Sequence, residues 1–391
     1  MKTSFNNNTL TVFLEGRIDT NNSAQTESEI FAAVDSANGA DIVIDAEKLE
    51  YISSAGLRVL MKLRKSIDKP LPVINVSRDV YDIFETTGFT ELLDVKRAMR
   101  EVSVEGCEVI GRGFYGTVYR IDDETIVKAY ESPDCLPMIQ NEQRLAKLAF
   151  VKGVPTAISY DTVKVGDSYG SVFELLRAKS FNDLLKNEPD NFDAIMRKYV
   201  DFLKTVHSTE MDAGSLPMAK DKFISQLDAI RSYLTDEQYQ RLNELISALP
   251  DDLHLVHGDF HMKNIMVVDN EPMLIDMDTI SMGQPIFDLQ ALYVTYKAFA
   301  EDDPNNLPYF LGIPAEWGGR IWNSIIGYYF DTTDEVRLSE INDKIRLLAM
   351  VRFLYIVTTC DLKNGELGEK RIKRTQDNIA KLTATVRDLN I

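Results

Sequence analysis

The chain has 391 residues, of which 45% are hydrophobic and 27% are charged, a composition typical of a globular protein. One hydrophobic core rarely serves a chain of this length, so two or three domains are expected. The formal net charge of −18 disfavours nucleic acid or an anionic membrane as a partner. It fits a cationic substrate, although solubility explains it equally well.

The cysteines and the start of the chain bear on the compartment. Cys107, Cys135 and Cys360 are far apart and form no CxxC pair, as is typical of reduced thiols. The opening "MKTSFNNNTL" lacks the apolar run of a signal peptide, and no stretch reaches the roughly 18 apolar residues of a membrane helix. We therefore expect a cytoplasmic protein.

Residues 1 to 98 alternate between strand and helix patterns. Strands are predicted at "TLTVFLEG", "DIVIDAE" and "LPVINVS", which are rich in β-branched residues. Helices are predicted between and after them, at Ala24 to Val34, Gly56 to Lys65 and Val80 to Thr86. Such alternation predicts an α/β domain in which helices pack on one sheet.

The second half begins with a glycine-rich segment, "GRGFYGTVYRIDDETIVKAY". Gly111, Gly113 and Gly116 fit the pattern G-x-G-x-x-G, and Val118 follows two residues later. A dinucleotide site would continue with a helix, whereas this segment continues as a strand, a turn and a second strand that carries Lys128. The pattern predicts a β-hairpin whose backbone N–H groups can approach phosphate oxygens, with a lysine supplying positive charge.

The next predicted helix, "LPMIQNEQRLAKLAF", carries a carboxylate on its apolar face. Glu142 lies on the stripe formed by Met138, Leu145 and Ala149. A half-buried carboxylate needs a partner, and Lys128 is the obvious one. The alternative is a surface glutamate near the edge of the stripe.

Three of the four histidines fall within the short segment "HLVHGDFHMKN". As zinc ligands, His254, His257 and His261 would need a helix to bring them together. The β-prone flanks and Gly258 disfavour that helix. We therefore interpret these histidines as hydrogen-bonding residues that shape a loop.

Oxygen-bearing side chains surround the same histidines. Asp259 and Asn264 fall in the predicted loop, the segment "NIMVV" is a predicted strand, and Asp276 lies at the end of a second one, "MLIDMD". Two acids and an amide that converge across a hairpin would suit Mg²⁺, which prefers oxygen ligands.

Together these motifs resemble the kinase-like phosphotransferases of the aminoglycoside phosphotransferase and choline kinase superfamily. Its loop reads H-G-D-x-x-x-x-N, as His257 to Asn264 do, and a later acid stands where Asp276 does. The resemblance covers about residues 105 to 300. It implies a phosphotransferase domain at residues 99–391 with a protein-kinase-like fold, in which a β-rich N-lobe (about 105–175) precedes a helical C-lobe (about 176–391).

The resemblance also implies which residues bind ATP. Lys128 would hold the α- and β-phosphates and be fixed by Glu142. Glu174, in "SVFELLRAKSF", falls where the family's chain links its two lobes and hydrogen-bonds adenine through its backbone. The remaining implied nucleotide-binding positions are those of the hairpin, namely Gly111, Gly113, Gly116 and Val118.

For the catalytic step, the resemblance implies four oxygen-bearing side chains. Asn264 and Asp276 would ligate Mg²⁺, with Asp278 as an additional candidate. Asp259 would accept a hydrogen bond from the substrate hydroxyl and orient it for attack. Asp259, Asn264, Asp276 and Lys128 form the predicted catalytic set.

The first half resembles a different family. "LEGRIDTNNS", "DIVIDAEKLEYISSAGLRVL" and "VYDIFETTGFTELL" are similar to a STAS domain, as in bacterial anti-sigma factor antagonists, over residues 1–98. The antagonists carry the loop D-S-S/T-G-L, in which the serine two residues before the glycine is phosphorylated. Ser54 takes that position, while Ser53 replaces the acid. Ser54 is therefore a possible phosphosite, and its alternative role is that of a helix N-cap.

Two functions remain open from the sequence. The first is an ATP- and Mg²⁺-dependent enzyme that phosphorylates a small hydroxylated molecule, with a STAS domain that regulates it or binds a regulatory protein. The second is a signalling kinase that phosphorylates a protein serine, such as Ser54 of a STAS domain. Only about ten residues separate Asp276 from Pro285 and Asp288, and no A-P-E tripeptide follows. The absence of a long activation segment favours the first function.

Overall fold

The computed structural model describes residues 1–37, 39–67, 69–113 and 116–391. The chain divides into two compact units. The first comprises Met1–Ser103 and Thr162–Asp167, and the second comprises Val104–Asp161 and Ser168–Ile391. Among the described residues, no helix combines the length and the apolar character that crossing a membrane requires.

A five-stranded sheet and three helices form the first unit. The strand order is β1-β2-β3-β4-β5, in which β1 is antiparallel to β2 and the other neighbours are parallel. The elements are β1 (Lys2–Asn6), β2 (Thr9–Ile18), α1 (Ser23–Ser36), β3 (Asp41–Ile52), α2 (Ser54–Ser66), β4 (Pro72–Val76), α3 (Arg78–Thr86) and β5 (Asp94–Arg97). The apolar residues of the central strands and the helices form one buried core.

The predicted strands and helices of this unit are all present, and two edge strands are additional. Every residue of β1 is exposed, and β5 has four residues, three of them exposed. Such strands lack the alternation of apolar and polar residues by which a strand is recognised in a sequence. The additional strands leave the predicted α/β class unchanged, and that class is confirmed.

The start of α2 corrects the alternative role given to Ser54. The helix begins at Ser54, two residues before the predicted Gly56, and its N-cap is Ser53. Ser53 has an extended backbone, and its hydroxyl accepts hydrogen bonds from the N–H groups of Ala55 (3.2 Å) and Gly56 (3.5 Å). Ser54 is exposed in the first turn and does not cap the helix.

The second unit begins with β-structure. Strands β6 (Glu108–Arg112), β7 (Gly116–Arg120), β8 (Thr125–Tyr130) and β10 (Ser168–Glu174) are neighbours in that order and run antiparallel. Helix α4 (Leu136–Val151) follows β8. Strand β9 (Asp161–Val165) comes between α4 and β10 in the chain, and all of it except Asp161 is assigned to the first unit. This region matches the predicted β-rich lobe.

The rest of the second unit is mainly helical. Its helices are α5 (Phe181–Asn187), α6 (Phe192–His207), α7 (Ala219–Ala229), α8 (Asp236–Ser247), α9 (Ile286–Tyr293), α10 (Asn306–Phe310), α11 (Trp317–Tyr329), α12 (Glu335–Thr359) and α13 (Gly365–Thr385). Short strands lie among them, namely β11 (Lys179–Ser180), β12 (Leu255–Val256), β13 (Ile265–Val268), β14 (Glu271–Leu274) and β15 (Ser281–Met282). Every residue of α9 is buried, so this helix lies inside the core.

Candidate active site

The glycine-rich hairpin consists of β6, β7 and β8. A Cβ atom on Gly116 in β7 would lie 2.1 Å from the carbonyl oxygen of Ala129 in β8, so only glycine fits where β7 and β8 meet. The N–H of Gly113 donates a hydrogen bond to the carbonyl of Gly116 (2.9 Å). Phe114 and Tyr115, the two residues between these glycines, lie outside the described residues.

Lys128 on β8 lies between two carboxylates. Its Nζ is 3.3 Å from Glu142 Oε1 on α4 and 2.8 Å from Asp276 Oδ1. Burial lowers the pKa of Lys128, but the charges of Glu142 and Asp276 outweigh burial and hold this pKa above its usual value. The structure thus brings together three residues that the sequence assigned to the nucleotide and metal site.

Glu142 has a further partner that was not predicted. It is 7% exposed, and the hydroxyl of Tyr130 donates to its Oε2 at 2.8 Å. Burial and the Glu142 charge raise the pKa of Tyr130, so the phenol stays protonated and remains a donor. Because Glu142 is buried and forms hydrogen bonds with both Lys128 and Tyr130, it is not a surface glutamate.

The loop after β12 places Asp259 beside Asn264. The Nδ2 of Asn264 donates to the carbonyl oxygen of Asp259 (3.0 Å) and to its Oδ2 (3.3 Å). Gly258 has φ +83°, and a Cβ there would lie 3.1 Å from the carbonyl oxygen of Thr279, so this sharp turn favours glycine. The loop therefore positions an aspartate carboxylate and an amide side by side.

Asp276 lies beyond its strand rather than at its end. Strands β13 and β14 are joined by a two-residue turn, in which Asp269 and Asn270 both have positive φ, and β14 ends at Leu274. The predicted strand "MLIDMD" is therefore shifted, because the turn starts β14 at Glu271. Asp276 itself has φ +62°, a left-handed conformation that aspartate tolerates better than most residues.

Negative charge accumulates around Lys128. Burial first, and then the charges of Asp276 and Glu142, raise the pKa of Asp278 to about 7. Asp259 adds to the same effect. Four carboxylates thus share one neighbourhood with Lys128, and their oxygen atoms form a donor set that fits a divalent cation.

The same donor set leaves room for ligands from outside the protein. Within the part of the chain that the structure describes, no three His, Cys, Asp or Glu side chains are arranged to hold a metal by themselves. Mg²⁺ usually keeps waters and substrate phosphates as ligands and needs one or two protein carboxylates. The backbone N–H of Ile275 donates to the carbonyl of Asn264 (2.9 Å), which brings Asn264 and Asp276 to the same place.

Comparison with known proteins now identifies the family. Residues 106–315, more than half of the chain, match the model of the phosphotransferase enzyme family, and residues 1–102 match the STAS domain model. The chain belongs to the phosphotransferase enzyme family. Its N-terminal part is a STAS domain, which is 34% identical over 85 residues to BtrV of Bordetella bronchiseptica, a protein assigned as an anti-sigma factor antagonist. That alignment covers 21% of this chain and 72% of BtrV.

Solved structures with a similar fold carry phosphotransferase names. ADP-bound aminoglycoside phosphotransferase APH(2'')-Ib is 19% identical, with 77% of this chain and 98% of that chain covered and a TM-score of 0.48. The streptomycin–ATP complex of APH(2'')-IIa is 17% identical, with 79% and 99% covered and a TM-score of 0.44. The family match itself confirms the prediction that this phosphotransferase is an enzyme joined to a STAS domain.

Asp288 anchors the loop that contains Asp259. The sequence had not placed this residue in the candidate site. This aspartate on α9 is 0% exposed. Its carboxylate accepts hydrogen bonds from the N–H groups of His257 (2.8 Å) and Gly258, and from Nε2 of His207 (3.0 Å). Burial alone would raise the pKa of Asp288, but the hydrogen bond and charge of His207 hold it below its usual range. The signal in the sequence was an acid within the apolar run "PIFDLQAL".

Buried aromatic residues support the same loop. The hydroxyl of Tyr199 donates to the carbonyl of Phe260, and the hydroxyl of Tyr296 accepts from the N–H of Met262 (3.1 Å). Arg352 on α12 is also near: burial lowers its pKa, while the charges of Asp259 and Asp288 raise it. None of these could be identified from spacing, because they lie far from the loop in sequence.

The three clustered histidines have different partners. Nδ1 of His254 lies 2.5 Å from Asp252 Oδ1, and Nδ1 of His257 accepts from the N–H of Asp259 (3.2 Å). His261 Nε2 lies 3.5 Å from Asp259 Oδ2. Burial lowers the pKa of His261, against the effect of Asp259. Two of the three imidazoles, those of His257 and His261, therefore contact Asp259.

Glu174 is the last residue of β10, and its side chain is exposed. The N–H of Leu175 donates to the carbonyl of Glu124 (2.7 Å), and Glu174 pairs with Thr125 at the adjoining position. At such alternate positions of an antiparallel pair, the backbone N–H and C=O groups point away from the partner strand. The backbone of Glu174 is therefore oriented to hydrogen-bond a group beside the sheet.

Proposed function

We propose that this protein transfers the γ-phosphate of ATP, with Mg²⁺, to a hydroxyl group of a small molecule. Residues 1–98 would act as a STAS module that regulates the enzyme or binds a regulatory protein, and residues 99–391 would carry out the transfer. One observation supports this most strongly: Lys128 contacts both Glu142 and Asp276 within the second unit. That contact joins the glycine-rich hairpin to the segment that follows the catalytic loop.

The nucleotide would be bound by the β-rich region. The backbone of Gly111, Gly113 and Gly116 would contact the phosphates, because no Cβ atoms obstruct the approach. Lys128 would neutralise the α- and β-phosphates, held in place by Glu142 and, through Glu142, by Tyr130. Val118, paired with Lys128 across the hairpin, would lie over the nucleotide, and the backbone of Glu174 would bind the base.

Transfer would then depend on positioning and charge. Phosphoryl transfer needs an aligned nucleophile and neutralised oxygens rather than a covalent intermediate. Asp259 would accept the hydrogen bond of the acceptor hydroxyl, and the Asn264 amide holds the Asp259 carboxylate in place. Asn264 and Asp276 would hold Mg²⁺, with Asp278 beside them, and the ion would supply positive charge at the β- and γ-phosphates. Asp288 fixes the loop backbone on which Asp259 lies.

The experiment is an ATP-consumption assay with a panel of hydroxylated metabolites and aminoglycosides, in Mg²⁺ and in chelator. We expect at least one acceptor to accelerate ATP consumption in Mg²⁺, and the Asp259→Asn variant to lose that acceleration. Activity that survives Asp259→Asn but is abolished by removing zinc would instead support a metal site at the histidines.

A second candidate function rests on Ser54. Because Ser53 is the N-cap, the exposed hydroxyl of Ser54 has no capping role, and the first turn of α2 contains no acidic residue. Phosphate is stabilised at such a helix start by free N–H groups and by the helix dipole. The second unit, in the same chain or in another copy, would then phosphorylate a STAS serine.

Site-resolved mass spectrometry tests this candidate. The full chain is incubated with ATP and Mg²⁺, beside the variants Asp259→Asn and Ser54→Ala. Phosphate at Ser54 that depends on Asp259 would support the signalling function. An unmodified Ser54 in a preparation that turns over a small-molecule acceptor would contradict it.

A further inference from the structure

One side of the catalytic loop carries positive charge although the chain is strongly acidic. Lys263 precedes Asn264 in the loop, and its Nζ donates to the carbonyl oxygen of Phe310 at the end of α10. Lys186 on α5 reaches the same turn, since a Cβ atom on Gly312 would lie 3.4 Å from the Lys186 Nζ. Two exposed ammonium groups therefore converge on residues 310–312.

This turn is fixed on both sides. Asn182 on α5 is buried, and its Nδ2 donates to the carbonyl of Leu311 at 2.6 Å. The Phe310 ring packs edge-on against His261, with centroids 5.2 Å apart, and the Nζ of Lys263 lies 5.3 Å from the centre of the same ring. The lysines are thus part of a built arrangement and not of a mobile surface.

The same contacts connect Lys263 to the Asp259 carboxylate. Nε2 of His261 lies 3.5 Å from Asp259 Oδ2, so the chain of contacts runs from Asp259 through His261 and Phe310 to Lys263. An acceptor that places its hydroxyl at Asp259 would extend past this cluster.

Nearby acids do not neutralise the two lysines fully. Asp183 on α5 is the carboxylate near Lys263, and its Oδ2 also accepts hydrogen bonds from the hydroxyl (2.6 Å) and the N–H (3.3 Å) of Ser180. One carboxylate does not balance two ammonium groups. Two like charges held together in this way are unfavourable until an anion joins them.

We propose that Lys186 and Lys263, with the turn at 310–312, bind an anionic group of the acceptor while Asp259 orients its hydroxyl. The acceptor is then a small hydroxylated carboxylate or phosphate rather than a polyamine. This inference rests on the proposed function for its role in catalysis. The ammonium groups supply charge-assisted hydrogen bonds, the type that carboxylate and phosphate accept most strongly.

Anion binding can be measured without turnover. Malonate and inorganic phosphate are titrated calorimetrically into the full chain, as separate probes for the carboxylate and the phosphate source. The variants are Lys263→Gln, Lys186→Gln, Lys263→Arg and, as a control, Lys373→Gln, an exposed lysine on α13. Glutamine can still donate to the Phe310 carbonyl, so Lys263→Gln removes the charge but keeps the hydrogen bond.

We expect at least one probe to bind, about tenfold more weakly to Lys263→Gln and to Lys186→Gln, and equally well to Lys263→Arg and the control. The probe that binds more tightly identifies the anion. Absent binding to the wild type, or equal binding by all variants, would overturn the proposal. So would loss of binding in Lys128→Ala alone, because the anion would then occupy the nucleotide site.

The outcomes separate this inference from the proposed function. Anion binding that depends on both lysines, in a protein without ATP turnover, would leave the site in place and remove the function. Turnover of an aminoglycoside or a neutral diol that is unchanged in Lys263→Gln would retain the function and overturn this inference.

Discussion

The two compact units differ in what they bury. In the described part of the first unit, Asp45 is the sole charged residue that is buried, and it accepts hydrogen bonds from the side chain of Asn75 (2.9 Å) and the N–H of Glu47 (2.9 Å). In the second unit, Glu142 is buried beside Lys128, and Asp288 and His257 are buried at the loop that contains Asp259. Burying a polar group costs free energy unless it forms hydrogen bonds. A concentration of buried polar groups therefore indicates a region whose residues serve function rather than stability.

This difference in burial indicates that the two units function in different ways. The first unit has an apolar core and exposes its distinctive serine, Ser54, so its function depends on its surface. The second unit arranges charges around Lys128 and Asp259, whose side chains are partly buried, as expected of a site for charge-dependent chemistry. Substitutions should therefore act on rate in the second unit and on local order in the first.

The largest effect is expected at Asp259. Asp259→Asn keeps the shape of the side chain and removes the charge that orients the acceptor hydroxyl, so the rate should fall by about 10²- to 10⁴-fold. Steady-state ATP consumption with Mg²⁺ and an active acceptor measures this. Asp190→Asn, an exposed aspartate between α5 and α6, is the control and should keep full activity. Equal rates for the two variants would remove Asp259 from the mechanism.

A smaller but more specific effect is expected for the pair Lys128 and Glu142. Glu142→Ala should lower the rate because Lys128 loses the partner that holds it, so the second substitution should add little to the first. The expected coupling in a double-mutant cycle is about 1 to 3 kcal/mol. Tyr130→Phe tests the same unit, since it removes the hydrogen bond to Glu142 and keeps the ring. Additive losses would show that Glu142 does not act through Lys128.

The raised pKa of Asp278 predicts how pH affects the metal-free protein. With a folded-state pKa of about 7, above the usual aspartate value, the folded state keeps a proton that the unfolded state releases between about pH 4 and pH 7. Stability should therefore fall as pH rises through this window. In Asp278→Asn this part of the pH dependence should disappear, which leaves the variant more stable than wild type at pH 8 by on the order of 2 kcal/mol.

Urea unfolding in chelator, followed by tryptophan fluorescence, measures this prediction. Trp317 and Trp322 both belong to the second unit, so the signal reports on the unit that contains Asp278. A variant that follows the wild-type pH profile would show that Asp278 ionises normally.

The parts of the candidate site that could be predicted from the sequence are those whose residues lie close together in the chain. The glycines around Gly116, the lysine two residues before the end of β8 and the loop from Asp259 to Asn264 are local patterns, and the structure brings them into one unit. What could not be predicted depends on contacts between distant segments. Asp288 accepts a hydrogen bond from the N–H of His257, which is 31 residues away in sequence. Tyr199 donates one to the carbonyl of Phe260, which is 61 residues away.

Some boundaries of strands and helices were predicted wrongly for a different reason. β1 is exposed along its whole length, so no hydrophobic pattern indicated it. The turn at Asp269 and Asn270 shifted β14 because both residues adopt positive φ, which composition alone does not specify. Ser53 and Ser54 have the same capping propensity, and the chain's path out of β3 decided which one caps α2.

The smallest predicted effect separates these two serines. Ser53→Ala removes the hydroxyl that accepts from two N–H groups at the start of α2, and should cost about 1 kcal/mol of local stability. Ser54→Ala changes an exposed side chain in the first turn and should cost almost nothing. Hydrogen exchange of amides in residues 54–66, measured by mass spectrometry on the full chain, reports on this helix by itself. Faster exchange in Ser53→Ala alone would leave Ser54 free for modification, whereas equal acceleration in both variants would return a capping role to Ser54.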